Sequence, residues 1–157
     1  MASRVRVALA ASLLACTLGL GLAGCTTPSH SVERSADEAE ATLEAIPGVD
    51  DARIGPTKDG FQTYMSINIE LADDFTGSDR DLLDLVLRQV WSQTEVAPER
   101  YAVIRVTGAG RTVPDVATAL VELDIGWLPY TESSLSMIGD DLEARYGTWP
   151  RSLSPED

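Results

Sequence analysis

Little of the side-chain chemistry that enzymes use is available in this 157-residue chain. It has two cysteines, Cys16 and Cys25, one histidine, His30, and one lysine, Lys58. Every thiol and imidazole lies within the first 30 residues. The remainder can build no Ser-His-Asp or Cys-His arrangement. It can build no disulfide, thiolate site or multi-histidine metal site either. A Ser-Lys dyad would need Lys58. That residue sits in Lys58-Asp59-Gly60, which reads as an exposed hairpin tip where an amine stays solvated. What remains is carboxylate chemistry or binding.

Three groups of residues in the later chain could take a ligand. Gly108-Ala109-Gly110-Arg111 falls between an expected strand and an expected helix. Backbone N–H groups at a helix start can hold an anion, and an arginine adds a fork of donors. A dinucleotide fingerprint would need a third glycine where Val113 stands, so the alternative is a tight strand-to-helix turn. Asp73, Asp74, Asp79, Asp81 and Asp84 offer clustered oxygens, but the calcium-loop pattern fails. Counted from Asp74, its glycine position holds Asp79 and its last ligand position holds Leu85. The acids then read as solvated groups and helix-dipole partners. Trp127, Tyr130 and Trp149 could anchor a partner or cover the ends of the core. Glycan hydrolysis would need two carboxylates facing across a cleft, and so acidic a chain singles out no pair. No metal or cofactor is expected.

The N-terminus carries Arg4 and Arg6 and no acid, followed by an apolar run from Val7 to Leu22. A cationic start and a short apolar stretch make a secretory signal. The run is shorter than the ~20 residues that span a bilayer. It closes on Leu22-Ala23-Gly24-Cys25: an aliphatic residue, two small residues, then cysteine. This resembles the lipobox of bacterial lipoproteins. The resemblance implies cleavage before Cys25, diacylglyceryl on its sulfur, and anchoring on the extracytoplasmic face of the cell membrane. Two acyl chains at about 0.8 kcal/mol per buried methylene hold stably where one is marginal. Residues 25–32, with His30, then form a polar tether in which the histidine has no role. Its seven residues beyond the cysteine reach roughly 25 Å at most.

Cleavage leaves 133 residues, enough for one domain with a core, and takes the formal charge from −13 to −15. Such a body repels nucleic-acid phosphate, so nucleic acid is not an expected partner. Arginine outnumbers lysine eleven to one. With abundant Ala, Val and Asp this is the composition of a high-GC genome, and an actinobacterial source would fit.

The elements that must position these residues follow from periodicity. Ser31 to Ile46 reads as a helix through Ala36, Ala39, Leu43 and Ile46, stopped by Pro47-Gly48. Val49 to Thr57 is a short strand candidate, followed by a turn at Lys58-Asp59-Gly60. From Phe61 to Leu71 residues alternate. Phe61, Thr63, Met65, Ile67, Ile69 and Leu71 share one face; Gln62, Tyr64, Ser66, Asn68 and Glu70 share the other. That polar face is either solvated or a binding surface. Ser78 caps a helix running to about Gln93, with Asp81 in a capping-box position. Tyr101 to Thr107 is a strand. Thr112 and Pro114 start a third helix that Gly126 ends. Trp127 to Tyr130 reads as a rigid connection. A last helix is expected from about Thr131 to Tyr146, although residues 133–137 also fit a strand. Arg151 to Asp157 reads as a flexible tail.

The expected architecture is a single α/β (α+β) domain over 33–150. A small, mainly antiparallel sheet of three to four strands carries helices on one face. It is similar to a ferredoxin-like αβ-plait without its first strand. Ile46-Pro47-Gly48-Val49 also resembles the helix-to-strand turn of heavy-metal-associated domains, whose Cys-x-x-Cys copper pair this chain lacks. The functional expectation is a membrane-anchored, non-catalytic binding or structural module of the cell envelope. Its partner would be an envelope protein or a cell-wall polymer. The alternatives are a carboxylate enzyme acting on cell-wall glycan, and a small-anion binder using Gly108, Gly110 and Arg111.

Overall fold

The structure, a computed structural model, describes residues 33–98 and 100–151. The expected signal, lipobox with Cys25 and tether, and residues 152–157, lie outside the described residues. The order of elements is α1 (Ala36–Glu44), β1 (Val49–Asp59), β2 (Gln62–Leu71), α2 (Asp79–Ser92), β3 (Tyr101–Gly108), α3 (Val113–Glu122), β4 (Trp127–Thr131), β5 (Ser134–Ile138) and α4 (Gly139–Tyr146). The strands form one sheet in the order β1-β2-β3-β5-β4. β2 and β3 are parallel, and the other neighbours are antiparallel.

The fold is α+β, as expected, with two differences. The sheet has five strands rather than three to four. The stretch expected as a rigid connection from Trp127 to Tyr130 is strand β4, and the segment expected as a helix from Thr131 begins with β5, the strand that residues 133–137 also fit, so only Gly139–Tyr146 is helical. Leu135, Ile138 and Leu142 fit a helical repeat, but Leu135 and Met137 also alternate as a strand. Pairing with β3 decides between the two: Ile104 faces Leu135 and Ala102 faces Met137. The parallel step also departs from the ferredoxin-like plait, whose helical crossovers leave room for a strand between their ends. Here β2-α2-β3 joins direct neighbours.

Local chemistry fixes the starts of the first three helices. Ser35 accepts from the Glu38 amide at 3.1 Å, and the Glu38 carboxylate accepts from the Ser35 amide at 3.1 Å. This reciprocal box opens α1 five residues later than Ser31. Ser78 caps α2 through the Asp81 amide. Thr112 and Asp115 cap α3, where Asp115 accepts from the Thr112 amide at 2.8 Å.

All four helices pack on one face of the sheet. Ala52 and Ile54 of β1, Met65, Ile67 and Ile69 of β2, Ala102, Ile104 and Val106 of β3, and Leu135 and Met137 of β5 turn toward them. Leu43, Leu83, Leu87 and Leu120 meet these side chains from the helices, and all four are buried. Burying side chains of this size contributes about 1.5–3 kcal/mol each.

One strand-face expectation is overturned. Phe61 was expected to lie with Met65 and Ile67 on the apolar face, but it is fully exposed. Asp59 pairs with Gln62, so the hairpin turns on Gly60-Phe61, one residue later than the Lys58-Asp59-Gly60 turn. Gly60 supplies the positive φ of 59° that such a two-residue turn demands.

Candidate functional site

Among the described residues, no helix lies on the other face of the sheet. Strand pairing sorts its residues into rows. Asp51, Glu70 and Thr107 form one row, and Arg53, Asn68 and Arg105 the next. Gly55, Ser66, Val103, Ser136 and Leu128 follow, and then Thr57, Tyr64, Tyr101 and Ile138. One half of the face is thus polar and charged, and the other is aromatic and aliphatic.

Three tyrosines build the aromatic half. The Tyr64 ring lies 6.5 Å from Tyr101 and 6.3 Å from Tyr130, centroid to centroid. Such tilted and edge-on contacts suit aromatic quadrupoles. Tyr130 shares the face of Leu128 by strand alternation and lies where the register of β4 shifts, between Pro129 and Thr131. Burial, with Asp59 and Tyr64 nearby, pushes the Tyr130 phenol above its ordinary acidity constant. Tyr64 also donates to the Gln62 side chain. Val103 and Ser136, in the row beside Tyr64 and Tyr101, are buried although no helix covers them. Leu128, on the same face, is 52 % exposed. The Arg100 guanidinium stands 5.4 Å from the Tyr101 ring centre, within cation–π range.

In the polar half, Asp51, Asn68, Glu70, Arg105 and Thr107 surround a shallow depression of about 270 Å³. Arg105 is exposed. Alone among the described arginines, it makes no hydrogen bond, ion pair or ring contact with another described residue. The others are engaged, and Arg53 shows how: at the sheet edge it binds Asp51 at 2.7 Å and Glu44 at 3.0 Å. In so acidic a chain, an arginine left without a carboxylate keeps its donors free for a partner.

The residues singled out in the sequence lie elsewhere. Gly108, Gly110 and Arg111 form the turn between β3 and α3, at the far end of the sheet from Phe61. Arg111 donates to Asp79 at 2.6 Å, to the Ala109 carbonyl at 3.1 Å and to the Gly77 carbonyl at 3.3 Å. Its guanidinium also stands 5.5 Å from the Phe75 ring centre. These contacts tie the start of α2 to the turn and occupy the donors an anion would need. At the start of α3, Asp115 already fills the carboxylate position. A Cβ on Gly108 would stand 1.9 Å from the Leu71 carbonyl oxygen, so glycine serves the approach of two strands.

Asp73 and Asp74 are exposed, and the other three acids are similarly engaged. Asp79 holds Arg111, Asp81 pairs with Arg80, and Asp84 lies between α2 and α4. Asp84 accepts from Arg88 at 2.9 Å, from Arg145 at 2.8 Å and 3.0 Å, and from the Tyr146 hydroxyl at 3.0 Å. Burial pushes its carboxyl up, but these hydrogen bonds outweigh burial and hold it below the ordinary value. Burial first, and the Asp84 charge second, drive the Tyr146 phenol well above its ordinary range. Asp115 is also held low, by its bonds from Thr112. No three acidic, histidine or cysteine side chains converge as a metal site among the described residues. Trp127 and Trp149 pack against the core, and Tyr130 belongs to the open face.

The polar side of β2 is legible in the alternation up to Leu71, but the rest of the face is not. Tyr101, Val103, Arg105 and Thr107 carry the same alternation one strand on. The signal was present, but the β2–β3 pairing that joins the two rows is not local. No protein-family model, curated protein or solved structure matches this chain.

Proposed function

We propose that this chain is an extracytoplasmic lipoprotein, anchored through Cys25, whose domain binds a protein or polymer of the cell envelope on the open face of its sheet. The observation that carries the reading is the helix-free face itself, on which clustered Tyr64, Tyr101 and Tyr130 adjoin the unpartnered Arg105. Tyrosine and arginine are the residues that dominate binding surfaces, because each combines apolar area with directional donors.

Binding by the face is favoured over pairing at an edge. The outer strands are blunted against a further strand: β1 carries Pro56, Lys58 and a register shift at its start, and β4 carries Pro129 and a register shift at Tyr130. Binding is also favoured over carboxylate catalysis. Asp79, Asp81 and Asp84 are each taken up in an ion pair, so none of these three is free to face a second carboxylate across a cleft.

Two measurements test the reading. Cys25→Ala should move the chain out of the membrane fraction; sedimentation unchanged by that substitution refutes the anchor. A photoreactive residue at Asn68 should crosslink an envelope component in intact cells, and one at Glu122 on α3 should not. Equal yields at the two positions refute the face.

A further inference from the structure

One surface feature is left unexplained by the open face. Phe61 is 110 % exposed, at the tip of the β1–β2 hairpin. A ring of that size gives up about 2 kcal/mol by remaining in water. β3 joins β2 only from Met65, with Tyr101 beside Tyr64, so residues 58–63 form a two-stranded arm beyond the last row of the sheet.

The arm points toward the end at which the chain enters the fold. α1 runs antiparallel to β1, and the Glu40 carboxylate accepts from the Ile54 amide at 2.5 Å. From that level, Phe61 lies seven strand residues away, roughly 23 Å. Ser35 lies five helical residues away in the same direction, about 7.5 Å. The tip therefore stands about 15 Å beyond the start of α1. Residues 26–32, between Cys25 and Glu33, span roughly 25 Å when extended. A chain held at a bilayer by Cys25 keeps the tip within reach of that bilayer, with slack left in the tether.

We infer that the Gly60-Phe61 tip inserts into the headgroup layer of the membrane that holds Cys25; this rests on the lipoprotein reading above. Charge selects the kind of surface. Lys58 and Asp59 offset one another at the tip. The acids of the chain's entrance, Asp37, Glu38 and Glu95, stay about 15 Å behind it, beyond the ~8 Å screening length of physiological salt. The tip thus suits a zwitterionic lipid surface, and the acidic body is kept off it. Tyr64, just behind the arm, is an amphipathic ring of the kind that settles at headgroup level. The strands then stand upright on the membrane, and the open face looks sideways toward a partner.

The full mature chain, lipidated at Cys25, is reconstituted in phosphatidylcholine vesicles as Phe61→Trp and as Asp73→Trp, the latter in the loop beyond the opposite end of β2. With brominated phosphatidylcholine, Phe61→Trp should lose more emission than the unsubstituted chain, and Asp73→Trp should lose no more. Equal quenching of Phe61→Trp and the unsubstituted chain overturns the inference. Flotation reads the anchor separately. If the lipidated chain floats with Phe61→Trp unquenched, the tip reading fails and the anchor stands. If Cys25→Ala floats as well as the lipidated chain and Phe61→Trp is quenched on it, the anchor reading fails and the tip stands.

Discussion

Gly108→Ala tests the close approach of β2 and β3 at the turn before α3, and its cost can be worked out in two parts. Gly108 has φ of 85°, and a left-handed backbone costs an L-residue roughly 1–2 kcal/mol. The added Cβ would also meet the Leu71 carbonyl oxygen at 1.9 Å. Ordinary C···O contact begins near ~3.3 Å, so β2 and β3 must part by about 1.4 Å where Leu71 pairs with Gly108. Losing that pairing beside buried Leu71 adds about 1–3 kcal/mol. The sum is about 2–5 kcal/mol, a large share of the ~5–15 kcal/mol that holds a domain together. Gly110→Ala is the control. Its φ is 68°, but nothing lies within 4 Å of the new Cβ, so only the backbone cost of about 1–2 kcal/mol applies. Urea unfolding reads the difference: Gly108→Ala should lower the midpoint well below that of Gly110→Ala, at unchanged slope. Equal losses would refute the close parallel approach of β2 and β3 at this turn.

Asp84→Asn removes the carboxylate that clasps α4 to α2 and should cost about 1–3 kcal/mol at neutral pH. Asp84 is held below its ordinary acidity constant, so its stabilisation is complete above the unfolded value near ~3.9 and fades as pH falls through the lower folded value. Stability of the substituted chain, followed by urea unfolding below neutral pH, should decline less steeply than that of the unsubstituted chain. Tyr101→Ala and Arg105→Glu, both on the open face, should lower the yield of crosslinks formed from Asn68. Arg105→Glu should leave stability within about 0.5 kcal/mol, as expected for a surface change that breaks no described contact; a crosslink yield unchanged by both substitutions would remove these residues from the interface.

Much of the scaffold was legible because it is local. The alternation from Thr63 to Leu71, the Ser78 cap and the apolar stripe of α2 each depend on residues a few positions apart. The end of the chain was not. Leu135, Ile138 and Leu142 satisfy a helical repeat, and only pairing with β3, some thirty residues earlier, makes Ser134–Ile138 a strand. Phe61 misled for a related reason. Its apolar side chain extends the alternation by one position, whereas the hairpin geometry places it in the turn. The open face was half legible. Tyr64, Ser66 and Asn68 mark a polar side, but the tyrosine cluster needs strand pairings that are not local. The role of Arg111 could not be read at all, since its partner Asp79 lies 32 positions away.

Hydroxyl-radical footprinting compares the purified mature chain with the same chain in intact cells and reads the open face without any substitution. Tyr64, Tyr101 and Leu128 should lose reactivity in cells, while exposed Val121 on α3 keeps it. Equal labelling of those three side chains in the two settings would contradict a partner seated on the sheet.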